Sequence, residues 1–273
     1  MPLVKTKDGR HLYTKDWGDG PPIVLIHGWP LSADSWDDVA VMLAEAGHRV
    51  IAYDRRGFGR SSQPWSGYDY DTLADDLAAV ITQTGVQDAT LVGFSMGGGE
   101  VARYMRRHDG RSVSKAVLIA SVLPYLQKTA DNPDGLDPAV FDQMAKDLRE
   151  DRPRFLEGFF KSFFGIGLLS RPVSDGMLQW AWTMAMQAGA RPTQACATAF
   201  AGTDFRADLS SFTVPTLLIH GTDDATVPID ASSRRAVREI PGAVLVELDG
   251  APHGLFATHR DRLAAELVAF VHR

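Results

Sequence analysis

The run Gly93-Phe94-Ser95-Met96-Gly97 lies between an apolar stretch, Ala89 to Val92, and a helical pattern that starts near Gly98. A chain that turns this sharply from strand to helix holds its serine in a strained conformation, and the flanking glycines avoid Cβ clashes. Such a turn lifts the seryl hydroxyl above the sheet edge. It also sets the next backbone N–H at a helix N-terminus, where unpaired donors and the helix dipole favour an oxyanion. The chemistry expected here is attack by a serine nucleophile.

A seryl hydroxyl needs a base to take its proton, and the base works best when a carboxylate orients it. Of the eight histidines, His253 is the expected base. It lies in Gly250-Ala251-Pro252-His253-Gly254, after the last strand and before the last helix, where glycine and proline specify a turn back over the sheet edge. His27 is read as a brace for the Gly28-Trp29 loop, and His220 as packing or bonding locally. His11, His48, His108, His259 and His272 are read as surface or helix residues. Two adjacent acids, Asp223 and Asp224, follow a strand end in His220-Gly221-Thr222-Asp223-Asp224-Ala225-Thr226-Val227-Pro228, and composition does not choose between them. Asp54, which opens Asp54-Arg55-Arg56-Gly57, reads as an ion-paired loop brace. For a second oxyanion donor, Pro30 has no N–H, whereas Trp29 has one. The expected hole is therefore the N–H of Met96 with that of Trp29.

These residues need a scaffold. Val4 to Thr6 and His11 to Trp17 flank a turn at Asp8-Gly9 and read as an antiparallel hairpin. Ile23 to His27, Arg49 to Tyr53, Ala89 to Gly93 and Ala116 to Ala120 are nearly continuous in apolar residues, as parallel strands buried on both faces are. Helical patterns at about Trp36 to Ala46, Thr72 to Thr84 and Gly99 to Arg107 alternate with them, which implies right-handed crossovers. The alternation stops after Ser121. From about Val122 to Asp208 the pattern is helical, rich in Phe, Trp and Met. Strands resume at Thr216 to His220 and Val244 to Leu248, and a helix spans Arg260 to His272. The expectation is one α/β core, residues 1–121 and 209–273, with a helical cap, 122–208, inserted after the sixth strand. In such sheets ligands bind beyond the carboxyl ends of the strands, where His27, Asp54, Ser95, His220 and His253 all fall.

Composition narrows the partners. The chain has 273 residues, 45% hydrophobic and 23% charged, with a net charge of −6 and no long basic block, so nucleic acid and anionic membrane are not expected partners. No uncharged apolar run is long enough to span a bilayer, and Met1 to Arg10 lacks the apolar core of a signal peptide. The one cysteine, Cys196, fits a reducing cytoplasm and reads as a small buried apolar residue. No haem or metal ligand set is visible, so no cofactor is expected.

Taken in order, HGWP, DxRGxGRS, GFSMGG, HGxxDxxVP and GxPHG resemble the α/β-hydrolase superfamily, and within it the cofactor-free haloperoxidase, arylesterase and perhydrolase group. The motifs span almost the whole chain. The resemblance implies a mostly parallel eight-stranded sheet flanked by helices and assigns the carboxylate to Asp224, giving Ser95, Asp224, His253 along the chain. It implies hydrolysis of small apolar acyl or aryl esters through an acyl-enzyme, with water or hydrogen peroxide as acceptor, and often a homo-oligomer. Any halogenation would then be indirect, through a peracid. Pro30, after the oxyanion tryptophan, resembles members that use peroxide well, and could restrict Trp29 so that its carbonyl faces a bound peroxide. Candidate pocket walls, some by resemblance and others by position, are Phe94, Val122, Phe159, Phe163, Phe200 and Val227. Lactonase, hydroxynitrile lyase or C–C hydrolase chemistry needs no other triad, and a non-catalytic binding protein is the rival from another class.

Overall fold

Strands apolar along their whole length must be covered on both faces, and the chain supplies that cover. The structure, a computed structural model, describes residues 3–273. β1 (Leu3–Lys5) and β2 (His11–Trp17) form the expected hairpin, with Val4 opposite Leu12. β3 (Pro22–Ile26), β4 (Arg49–Tyr53), β5 (Ala89–Phe94), β6 (Val113–Ile119), β7 (Thr216–Gly221) and β8 (Val244–Leu248) complete an eight-stranded sheet of order β1-β2-β4-β3-β5-β6-β7-β8. β2 pairs antiparallel with β4, and the pairs beyond are parallel. The central strands carry the core: Ile23, Val24, Leu25, Ile26, Leu91 and Val92 are fully buried.

α1 (Asp37–Glu45), α2 (Tyr70–Thr84) and α3 (Met96–Arg107) make the early crossovers. α2 shows how local sequence sets such an element. The Asp69 carboxylate accepts from Thr72 N–H at 2.9 Å to start it, and Gly85, at φ 67°, ends it in a left-handed conformation that glycine adopts without a Cβ penalty. Its buried face, Leu73, Leu77, Val80 and Ile81, repeats at the helical period.

Between β6 and β7 lie α4 (Pro138–Phe163), α5 (Asp175–Gln187) and α6 (Ala190–Gly202). The expected helical cap is therefore present, but it starts later than the pattern suggests. Residues 121–137 form a loop closed by bridges between Gln127 and Leu136 and between Thr129 and Asn132. Pro124 and Pro133 lack an N–H and disfavour helix in the residue before each, and Asn132 Nδ2 pins the loop by donating to the carbonyls of Tyr125 and Gln127 at 3.0 and 2.6 Å. α4 itself is broken at Asp151 (φ −153°, ψ 80°), two residues before Pro153. The Asp151 carboxylate then accepts from Arg154 N–H at 3.1 Å and restarts the helix. α7 (Ser233–Glu239), α8 (Leu255–Thr258) and α9 (Arg260–Val271) complete the chain. Among the described residues no helix is long and apolar enough to cross a membrane. His48 departs from expectation: it is buried at the start of β4, its ring 5.1 Å from that of His272.

The glycines around Ser95 are set by contact. A Cβ on Gly93 would fall 2.5 Å from the Gly97 carbonyl oxygen, and one on Gly97 would fall 2.5 Å from that of Ile26. Backbone cannot yield as a side-chain tip can, so Gly93→Ala should cost about 3 kcal/mol of stability, read as a lower urea midpoint at unchanged slope.

Candidate active site

β5 ends at Phe94 and α3 begins at Met96, which leaves one residue to make the turn. Ser95 makes it at φ 54°, ψ −118°, a conformation costly for any residue with a side chain and held here by its N–H donating to Ile119 O at 2.8 Å and its carbonyl accepting from Gly98 N–H at 3.0 Å. The Ser95 Oγ lies 3.0 Å from His253 Nε2, and His253 Nδ1 lies 2.6 Å from Asp224 Oδ2. An ionised carboxylate only accepts, so Nδ1 carries the proton and Nε2 is left to take one from the serine.

Of the two adjacent acids, the structure brings Asp224 to the imidazole. Asp223 is exposed and its N–H donates to Ala251 O at 3.1 Å, whereas Asp224 is buried. Asp224 Oδ1 accepts from the N–H groups of Thr226 and Val227 at 2.9 and 2.7 Å. Its Oδ2 meets His220 Nε2 at 3.1 Å as well as His253. Burial alone would push this carboxyl up; attraction to His253 and hydrogen bonds from His220 and His253 outweigh it and hold the group well below the ordinary carboxylate range. His220, whose Nδ1 sits 2.7 Å from Ser233 Oγ, does bond locally, but its partner is the site carboxylate. The spacing of four residues between His220 and Asp224 across a strand-end loop was the available signal.

Behind the Gly28-Trp29 loop, His27 Nε2 accepts from Arg55 N–H at 3.0 Å while Nδ1 lies 2.9 Å from Gly28 O, so the proton sits on Nδ1. Burial, then the Arg55 charge, drives this imidazole far below its ordinary pKa and keeps it neutral. Arg55 is itself buried, giving Nε to Glu100 Oε2 and a terminal nitrogen to His27 O, both at 2.7 Å, and Tyr53 OH donates to the other Glu100 oxygen. The brace expected of His27 is thus one end of a buried polar chain that reaches α3, and Glu100 carried no signal of it. Asp54 is a brace too, accepting from Ala33 N–H at 2.9 Å and from Arg60 N–H and Nε at 2.8 Å.

Gly28 is bare because protein atoms already fill the place of a Cβ. A Cβ there would fall 2.7 Å from the Phe94 ring and 3.0 Å from Ser95 Cβ, so the loop is pressed against the serine turn. This sets Trp29 over the turn. The Trp29–Pro30 peptide bond is cis. Neither the Trp29 nor the Met96 N–H donates to any group among the described residues. The Trp29 indole donates to Thr193 O, on α6, at 2.9 Å.

Ser95, His253 and Trp29 open on a cavity of about 600 Å³. Val122, Phe159, Phe200 and Val227 line it as expected. Phe94 and Phe163 do not. Their rings lie 5.0 Å from that of His253, tilted on one and edge-on from the other, so they fix the imidazole plane rather than face the cavity. Walls that the sequence reading lacked come from the loop and from α4: Leu126, Leu136, Phe141, Met144 and Phe155. Phe141–Met144 and Phe155–Phe159 are spaced as one face of a helix, and that was the signal. Cys196 is fully buried in α6, its thiol pushed up to about 12 by burial.

Comparison with known proteins agrees with this architecture. The family model for the α/β-hydrolase fold matches residues 21–259. A putative non-heme chloroperoxidase of Synechocystis is 46% identical over 95% of this chain and 94% of its own. The bifunctional esterase/perhydrolase of Acinetobacter calcoaceticus is 42% identical over 99% of both chains. The crystal structure of a bromoperoxidase from Bacillus anthracis superposes with a TM-score of 0.97 at 45% identity, over 100% of this chain and 99% of that one. With a family model over most of its length and relatives this close, the chain belongs to the α/β-hydrolase family.

Proposed function

We propose that the protein is a serine hydrolase of small apolar carboxylic esters that passes the acyl group to water or to hydrogen peroxide. The observation that carries this reading is the hydrogen-bonded line Ser95–His253–Asp224 opening on an apolar cavity. Ser95 Oγ attacks the ester carbonyl carbon as His253 Nε2 takes its proton, with Asp224 holding the imidazole tautomer. The N–H groups of Met96 and Trp29 bind the oxyanion. The protonated His253 then gives its proton to the departing alkoxide, leaving an acyl-serine. Water or peroxide, deprotonated by His253, attacks that carbonyl and releases a carboxylic acid or a peracid. Residues 122–208 act as the cap that walls the acyl and alcohol arms. The names of the Acinetobacter and Synechocystis relatives support the peroxide arm, with halide oxidised by released peracid rather than on the protein. A single buried cysteine supports a cytoplasmic setting.

Turnover of p-nitrophenyl acetate, with fluorophosphonate labelling mapped to Ser95, tests the reading. No turnover and no label would overturn it. Peracid formation is followed in parallel with added peroxide. Pro30→Leu is expected to lower the perhydrolysis-to-hydrolysis ratio, and an unchanged ratio would remove Pro30 from the account.

A further inference from the structure

Among the described residues, the cavity that opens on Ser95 has one acidic side chain in its wall, and it is not part of the proposed reacting line. Asp147, on α4, is half-buried and accepts a hydrogen bond from Gln143 Nε2 at 2.7 Å. The nearby Lys146 pairs with Glu150 instead. Around Asp147 the wall is aromatic. Phe155 and Phe159 stack with ring centres 6.0 Å apart, and Phe159 meets the Trp29 ring edge-on at 5.3 Å, so a line of rings runs from Trp29 along the same cavity whose wall holds Asp147. A cleft of about 460 Å³ adjoins the cavity, sharing Asp147, Phe155 and Phe159 and adding Glu150, Asp151 and Arg154.

A carboxylate and aromatic rings lining one cavity are the chemistry that holds an ammonium group. Ring quadrupoles attract cations, a half-buried carboxylate is screened less than an exposed one, and both oppose an anion. The net charge of −6 acts in the same direction at longer range. We propose that Asp147 narrows the substrate class given above: the portion of the ester beside Ser95 stays apolar, and the arm toward the cap ends in a cationic ammonium group in preference to a neutral or anionic one. The inference rests on the ester-hydrolase reading above for its turnover assay, but not for its binding assay.

The test pairs acetate esters of trimethylammonio-alkanols of increasing chain length with their neutral tert-butyl isosteres, and repeats the pairing with the charge on the acyl arm. In the wild type, kcat/KM should favour the cation by about fivefold at the length that reaches Asp147. Asp147→Asn should bring that ratio close to one, and Asp147→Glu should restore most of it. Alkyltrimethylammonium ions and alkyl carboxylates are also titrated calorimetrically against wild type and Ser95→Ala. Tighter binding of the ammonium series is expected in both proteins, whether or not Ser95 is the nucleophile. Equal ratios at every length on both arms, a preference that survives Asp147→Asn, or equal binding of the two ion series would each overturn the proposal. Loss of p-nitrophenyl acetate turnover in the wild type would instead strike at the esterase reading.

Discussion

Ser95→Ala is expected to reduce kcat for p-nitrophenyl acetate by on the order of 10⁶, with perhydrolysis falling by the same factor. Alanine removes only Oγ. Its methyl group occupies the same positive-φ turn as the serine, whose backbone is held from Ile119 and to Gly98, so the fold should persist. Loss of both activities together, with an unchanged circular dichroism spectrum, is the result that identifies one acyl-serine as the shared intermediate. Perhydrolysis that survived while hydrolysis disappeared would show that peroxide attacks the ester without passing through Ser95.

The second large effect belongs to Asp224→Asn, expected to lower kcat by on the order of 10⁴. The amide keeps an oxygen for the N–H groups of Thr226 and Val227, so the loop should hold. Its NH₂ would instead donate to His253 Nδ1, move the ring proton to Nε2 and present Ser95 with a donor where it needs an acceptor. Asp223→Asn, at the exposed neighbour, should leave kcat within about twofold, since changes at exposed sites without special contacts are small. Asp224 also carries a pH signature. Its folded pKa lies below the ordinary 3.8, so the unfolded chain binds the proton first as pH falls. The stability it contributes is whole above pH 3.8 and is lost as pH drops through the lower folded value. Urea midpoints measured on both sides of pH 3.8 should show the wild type losing stability relative to Asp224→Asn on the acid side. A difference independent of pH would mean that the carboxyl titrates alike in both states.

Much of this was legible in the sequence because the relevant signals are local. The serine turn is written in five consecutive residues, and the sheet in apolar runs whose composition reports burial on both faces. The choice between Asp223 and Asp224 was not local. It depends on which carboxylate the strand-end loop turns inward, and that is set by the N–H groups of Thr226 and Val227 and by His220. The pocket was the least legible part. Phe94 and Phe163 have the composition of walls, but rings that pack against His253 look no different in sequence from rings that face a cavity. The loop at 121–137 escaped because its bridges join residues by tertiary register rather than by periodicity, although its prolines argued against a helix.

The hydrogen bond from the Trp29 indole to the Thr193 carbonyl ties α6 to the loop that carries the proposed oxyanion donor. Cap and donor therefore share a mechanical joint. A substitution on α6 that tilts the helix carries the Trp29 N–H with it, so under the proposed mechanism a change made to alter which ester fits also alters how strongly its transition state is held. In this protein, selectivity and rate are to be engineered as one variable, unless the indole is first cut loose from the cap.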